Sequence, residues 1–315
     1  MGSRMDFESE LRRQWAKVAH FEDGAIQLDV EHPLEWYVRR AQKEGKSLVV
    51  VSMFELRDLR PSKCIATACE QRRDGRYAIS FTLTDASREE VFFTLAADII
   101  AFSQPAQTPK TSIVAVKKRY TAWQRLLDHG RSAHLSKEAQ KGLFAELLFL
   151  RKIIERGMAS VDAVAGWVGP EAADQDFVYP DGWHEVKAVG IASASVTISS
   201  LEQLACEGEG ELVVYRIDSC APAYPGALTL RALVQGVRSW MNDSIEALDI
   251  FEMKLADAGY LDGAVYEINH FYVAHISHYQ VREDFPRLRR ADVPREVLNA
   301  IYQLDLPGLE PWREK

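Results

Sequence analysis

DQDFVYPDGWHEVK, residues 174–187, decides the fold. At its centre stand Tyr179-Pro180-Asp181-Gly182. Pro180 presets one turn dihedral and Gly182 accepts one that other residues resist. Short extended runs flank this turn, so the stretch reads as a β-hairpin. Side chains two apart on a strand share a face. Glu185 and Lys187 therefore point the same way, and Asp176 on the neighbouring run adds a second carboxylate. His184 points to the opposite face and reads as structural, and Asp181 reads as a turn former.

Two carboxylates beside an ammonium make a cation site with an amine next to it. Phosphodiester hydrolysis needs an activated water and offset negative charge at the phosphorus. Hard cations such as Mg²⁺ take carboxylate, carbonyl and water oxygens, and they lower the pKa of a bound water while polarising a phosphoryl oxygen. Asp176, Glu185 and the Val186 carbonyl supply such oxygens, with Lys187 placed to orient water or neutralise charge. The same residues also read as a surface hairpin whose Glu–Lys pair is worth about a few tenths of a kcal/mol. Asp174, two residues before Asp176, is an alternative ligand, with Asp176 favoured.

The 315 residues suffice for one large or two ordinary domains, and 47% hydrophobic with 27% charged content is that of a globular protein. No apolar run approaches the roughly 18 residues of a membrane span, and no signal peptide is evident, so a cytoplasmic location is expected. Residues 1–4 read as a cloning remnant, with Met5 as the native start. Cys64, Cys69, Cys206 and Cys220 lack zinc-ribbon spacing and are expected to be reduced thiols. The net charge of −8 argues against a protein that coats nucleic acid by charge alone. Residues 110–151 run the other way, with nine Lys/Arg against three acids.

Along the chain, residues 6–20 pattern as an amphipathic helix and 35–43 as a second short one. Residues 47–56, 63–69, 76–83 and 90–95 read as strands. This makes residues 1–110 a mostly β accessory domain. The proline-bearing stretch 104–111 serves as the linker, and 111–315 follows as a second domain. Ser136 is the expected N-cap of a long helix ended by Gly157. Glu146 lies within its apolar sequence and either reaches the edge or points at a cation. Strands are expected at 195–200, 211–218 and 271–281, and helices within 229–258 and at 293–302. His270, His275 and His278 cluster near the last strand without a carboxylate or thiol at defined spacing, which argues against metal there. No Gly-rich phosphate loop supports a nucleotide-binding reading.

Several further motifs follow in order. The Glu146 helix (GLFAELLFL) precedes Trp167-Val168-Gly169-Pro170, Asp176-Phe177 and Glu185-Val186-Lys187. After these come residues 199–204 (SSLEQL), 285–288 (FPRL) and 302–306 (YQLDL). This arrangement resembles the PD-(D/E)XK motif proteins found beside bacterial restriction and phage-defence genes. The resemblance is closest over residues 110–312.

It implies a restriction-endonuclease-like α/β (α+β) fold, a mixed sheet flanked by helices. Asp176 and Glu185 become metal ligands, Lys187 the catalytic lysine, Glu146 an assisting acid at the metal, and Gln203 a positioning residue. The implied cofactor is Mg²⁺, with Mn²⁺ as its substitute. The implied activity is DNA cleavage in a defence system, with methyltransferase, ATPase or helicase components as partners, and a homodimer if both strands are cut. A catalytically silent scaffold in such a complex is the alternative. Gln175 stands where the motif has proline. Beside a nuclease site, Lys117, Lys118, Arg119 and Arg125, and Arg287, Arg289 and Arg290, become candidates for DNA phosphate contacts.

Overall fold

The computed structural model describes residues 4–18, 24–40, 45–57, 59–128, 134–171, 173–205 and 208–314. Arg131 and Cys206 lie outside them. The chain packs as two compact units, Met1–Ala133 and His134–Lys315.

The first unit begins with α1 (Arg4–Val18), whose Phe7, Leu11, Trp15 and Val18 form the buried stripe that their spacing predicts. Five antiparallel strands follow: β1 (Ala25–Gln27), β2 (Glu35–Arg40), β3 (Lys46–Ser52), β4 (Ile65–Gln71) and β5 (Tyr77–Leu83), in the order β1-β2-β3-β5-β4. The helices α2 (Glu89–Ser103) and α3 (Pro109–Asp128) complete the unit. Residue 110, the expected boundary, lies in the first turn of α3, within Met1–Ala133. Of the expected linker 104–111, residues 104–108 join two packed helices and 109–111 open α3, and the Ser112 hydroxyl donates back to the Ser103 carbonyl.

Two elements of this unit differ from expectation. Residues 35–40 form a strand rather than a helix, because Trp36 and Val38 alternate with polar neighbours and pair with Val50 and Leu48. Residues 90–95 form a helix rather than a strand. An aromatic apolar run buried on most sides has no one-sided period to read. Its extension to 15 residues, with Glu89 and Glu90 in the first turn, suits a helix.

The second unit opens with α4 (Lys137–Glu155), capped by the Ser136 hydroxyl, which accepts from Ala139 N at 3.2 Å, and followed by Gly157. Then come α5 (Ser160–Ala165), β6 (Phe177–Tyr179), β7 (Gly182–Val189), β8 (Ser195–Ile198), β9 (Gly210–Cys220) and β10 (Leu228–Thr229). The remainder is α6 (Leu230–Ser239), α7 (Ile245–Asp257), β11 (His270–Gln280) and β12 (Tyr302–Asp305). One sheet has the order β10-β11-β9-β7-β6 and is mixed, since β7 and β9 run parallel and the other pairs antiparallel. The fold is therefore α+β with a mixed sheet, consistent with a restriction-endonuclease-like architecture.

Alternation along β7 divides the core. Val186 packs with α4 to α7 in one cluster, whereas Trp183 packs with β8, β12 and Leu309 in another. The helix expected at 293–302 is absent. Leu298 and Ile301 are 87% and 71% exposed, so no buried face offsets the entropy of ordering a helix there.

Candidate active site

The hairpin forms as its turn residues predict: Phe177 pairs with His184, Val178 with Trp183 and Tyr179 with Gly182. A Cβ on Gly182 would stand 2.8 Å from the Glu209 carbonyl, so only glycine fits this turn. Continuing the register one step places Asp176 opposite Glu185. An Asp176 carboxylate oxygen accepts the Val186 N–H at 2.8 Å, so this aspartate is bonded directly to the Glu185-Val186-Lys187 strand. Asp174 is exposed.

Residues 165–171 hold Asp176 from behind. Val168 N and Gly169 N both donate to its backbone carbonyl, at 2.9 and 3.0 Å. A Cβ on Gly169 would lie 2.8 Å from an Asp176 carboxylate oxygen, so the glycine makes room for the carboxylate. The indole N–H of Trp167 donates to Glu146 at 2.8 Å and fixes the helix acid. Beneath this loop, Lys254 of α7 is buried, and its ammonium donates to the carbonyls of Ala165 and Trp167. Sequence reasoning missed Lys254, because its partners lie more than 80 residues away.

Glu185 is 1% exposed, and Lys187 Nζ lies 2.6 Å from its carboxylate. Lys187 also donates to the Gln203 side-chain oxygen at 3.3 Å, and Ser199 N donates to that same oxygen at 2.7 Å. Gln203 is in turn fixed by its own backbone N–H, which donates to the Ser200 hydroxyl at 3.3 Å.

The electrostatics follow from burial and crowding. Burial, then the Asp176 charge, pushes the Glu146 carboxyl up to about 8, and the same two causes push Glu185 to about 8. Asp176 is also raised by burial, against the pull of Lys187 and the Val186 N–H. Three carboxyls that resist ionisation together form a site that a divalent cation would relieve. Their all-oxygen character fits a hard cation, which needs only one or two carboxylates with waters completing its shell. The three are not a tight cage. Among the described residues, the trio of candidate donor atoms lying within 4.8 Å of one another is Glu211, His278 and Glu314.

The basic candidates fare unequally. Lys117, Lys118, Arg119 and Arg125 belong to α3 of the first unit. Arg119 is buried and forms a two-pronged ion pair with Asp98, which also accepts from the Trp123 indole. Its guanidinium therefore supports the core rather than facing a phosphate, a role its sequence neighbours gave no sign of. Lys117 is half-buried and Lys118 exposed. Arg287 donates to the Leu204 carbonyl, Arg289 pairs with Asp292, and Arg290 donates to the Pro294 and Val297 carbonyls. Cys64, Cys69 and Cys220 are not in disulfides, and no described helix is long and apolar enough to cross a membrane.

Residues 11–307 match the sequence profile of the family described as "Putative PD-(D/E)XK family member, (DUF4420)". No curated protein and no solved structure matches the chain. The profile spans nearly the whole length, covering both units and every residue of the carboxylate–lysine site, and the chain belongs to this PD-(D/E)XK family.

Proposed function

We propose that the protein is a divalent-metal-dependent DNA endonuclease, working with Mg²⁺ or Mn²⁺ in the cytoplasm as part of a bacterial restriction or anti-phage system. The observation that carries this reading is the junction of Asp176, Glu185 and Lys187 on one hairpin, with Glu146 electrostatically coupled from α4. Asp176, Glu185 and the Val186 carbonyl would hold the ion. When bound, it supplies Lewis acidity toward a phosphoryl oxygen and a water of lowered pKa.

The chain's own groups do the rest. Lys187 carries a positive charge to the place where negative charge develops on phosphate. Gln203 fixes the direction of that ammonium by accepting from it. Glu146, pushed to about 8, holds or releases a proton near neutral pH, which suits a group trading protons with solvent at the site. Lys117, Lys118 and Arg125 are the proposed phosphate contacts on the first unit. Methyltransferase, ATPase or helicase components are the proposed partners, and a homodimer would cut both strands.

The test is cleavage of supercoiled plasmid in Mg²⁺ and in Mn²⁺ by the wild type and by Asp176→Ala and Lys187→Ala. Each substitution should lower the rate by about 10²-fold or more, and full activity in both would defeat the assignment. A second reading, a partner-activated or silent subunit, draws on the Lys187–Glu185 pair, which closes the site on itself. It predicts an inactive isolated chain that co-purifies with an ATPase or helicase.

A further inference from the structure

A second constellation lies on the strands beside the carboxylate–lysine site. Glu211 of β9, His278 of β11 and Glu314 each offer one ligand atom, all within 4.8 Å of one another. One Glu211 oxygen meets His278 Nδ1 at 2.6 Å, and the other meets His184 Nδ1 at 2.8 Å. Glu314 is held beside β11 by its own N–H, which donates to the His278 carbonyl at 2.9 Å, and the Gln280 amide donates to its carboxylate at 2.9 Å. Glu211 and Glu314 line a cleft of about 840 Å³, so ions in solvent reach them.

We propose that Glu211, His278 and Glu314 form a second metal site, distinct from the Asp176–Glu185 pair, that takes a transition-metal ion of the Zn²⁺ type. One imidazole nitrogen with two carboxylate oxygens is a mixed donor set that favours Zn²⁺ over Mg²⁺, which prefers oxygen and water throughout. Three protein ligands leave a fourth position open to the cleft. His184 stays on the far oxygen of Glu211 and orients that carboxylate from outside the coordination sphere. With metal–ligand bonds of about 2.0–2.2 Å, neighbouring ligands stand roughly 3.3–3.5 Å apart in a tetrahedron. The Glu211–His278 contact therefore opens by less than about 1 Å.

In the metal-free chain Lys152 Nζ lies 3.1 Å from His278 Nε2, so the ammonium donates there and Nδ1–H serves Glu211. Coordination through Nδ1 displaces that proton to solvent, and Nε2 takes one up. Lys152 must then release Nε2, so its ammonium competes with the metal. This competition distinguishes a metal site from a merely structural Glu–His pair.

The probe is Zn²⁺ itself, titrated calorimetrically into the full chain carrying Asp176→Asn and Glu185→Gln, which disable the other carboxylate site. The expected result is about one bound equivalent, as set by a single three-ligand site. Adding His278→Gln or Glu314→Gln should weaken binding about 10-fold or more, and Lys152→Met should tighten it. Co²⁺ in place of Zn²⁺ should give a visible absorption that disappears with the same two substitutions. Glu314 is exposed, so Glu314→Gln keeps the test open if His278→Gln fails to fold. Absence of Zn²⁺ binding, or an affinity indifferent to Glu314→Gln, overturns the proposal.

Discussion

Glu185 and Glu211 stand on neighbouring parallel strands, one residue out of register, since His184 is paired with Glu211 and Glu185 with Leu212. Both are carboxylates taken largely out of water, yet they are driven in opposite directions. Glu185 is pushed up to about 8 by burial and by Asp176, and Lys187 only partly offsets this. Burial also pushes Glu211 up, but the hydrogen bonds from His184 and His278 outweigh it and bring Glu211 down to about 2. Burial alone therefore does not set the charge of an acid in this sheet. The neighbours do: the Asp176 carboxylate beside Glu185, the His184 and His278 imidazoles beside Glu211. The first arrangement is costly in the metal-free chain and the second stabilises it.

The largest expected effect breaks the favourable member. Glu211→Ala leaves the His184 and His278 imidazoles without their shared acceptor and should cost about 3 kcal/mol in denaturant unfolding, the loss of two hydrogen bonds to a charged group. A loss below about 0.5 kcal/mol would remove the contrast. Next, Glu185→Gln should stabilise the metal-free chain at pH 8 by on the order of 2 kcal/mol while reducing cleavage.

The third effect is a slope. The folded-state pKa values of Glu146 and Glu185 lie above their ordinary value of 4.5. Between that value and about 8 the folded chain holds more protons than the unfolded one, so these groups lose stability as pH rises through the window. Melting followed in chelator should show a falling Tm from pH 5 to pH 8, a flatter profile in Glu185→Gln, and a rise on adding Mn²⁺ that is larger at pH 8. Equal Mn²⁺ shifts at pH 5 and pH 8 would contradict the coupling. The smallest effect is Gln203→Ala, which removes one neutral acceptor from Lys187. It should change stability by about 1 kcal/mol or less while lowering cleavage severalfold.

What could be read in the sequence was local. The Pro180–Gly182 turn, the two-residue spacing of Glu185 and Lys187, the Ser136 cap and the Gly157 stop each declare themselves within a few residues. Glu146 stands out as a carboxylate within an apolar helical sequence, and its assisting role at a metal comes only from the order of motifs around it. The rest depended on distant partners. Arg119 looked like one basic residue among several until Asp98 and Trp123 enclosed it. His278 lacked a carboxylate at any fixed spacing because its partner is 67 residues away, on the adjacent strand. The α2 run misled because deep burial on several sides erases periodicity, and the 293–302 stretch because a helical pattern with nothing to pack on is not a helix.

Gln175 replaces the proline of the motif name. It is buried, and its amide donates to the Glu202 carbonyl at 3.0 Å, one residue before Gln203. A proline has no side-chain donor and would leave these two segments untied. The lead-in to Asp176 and the turn steering Lys187 are thus moored to one another, and a displacement of the 199–204 turn is passed to the aspartate and the lysine together. The departure from the motif gives the two halves of the site a shared mechanical fate.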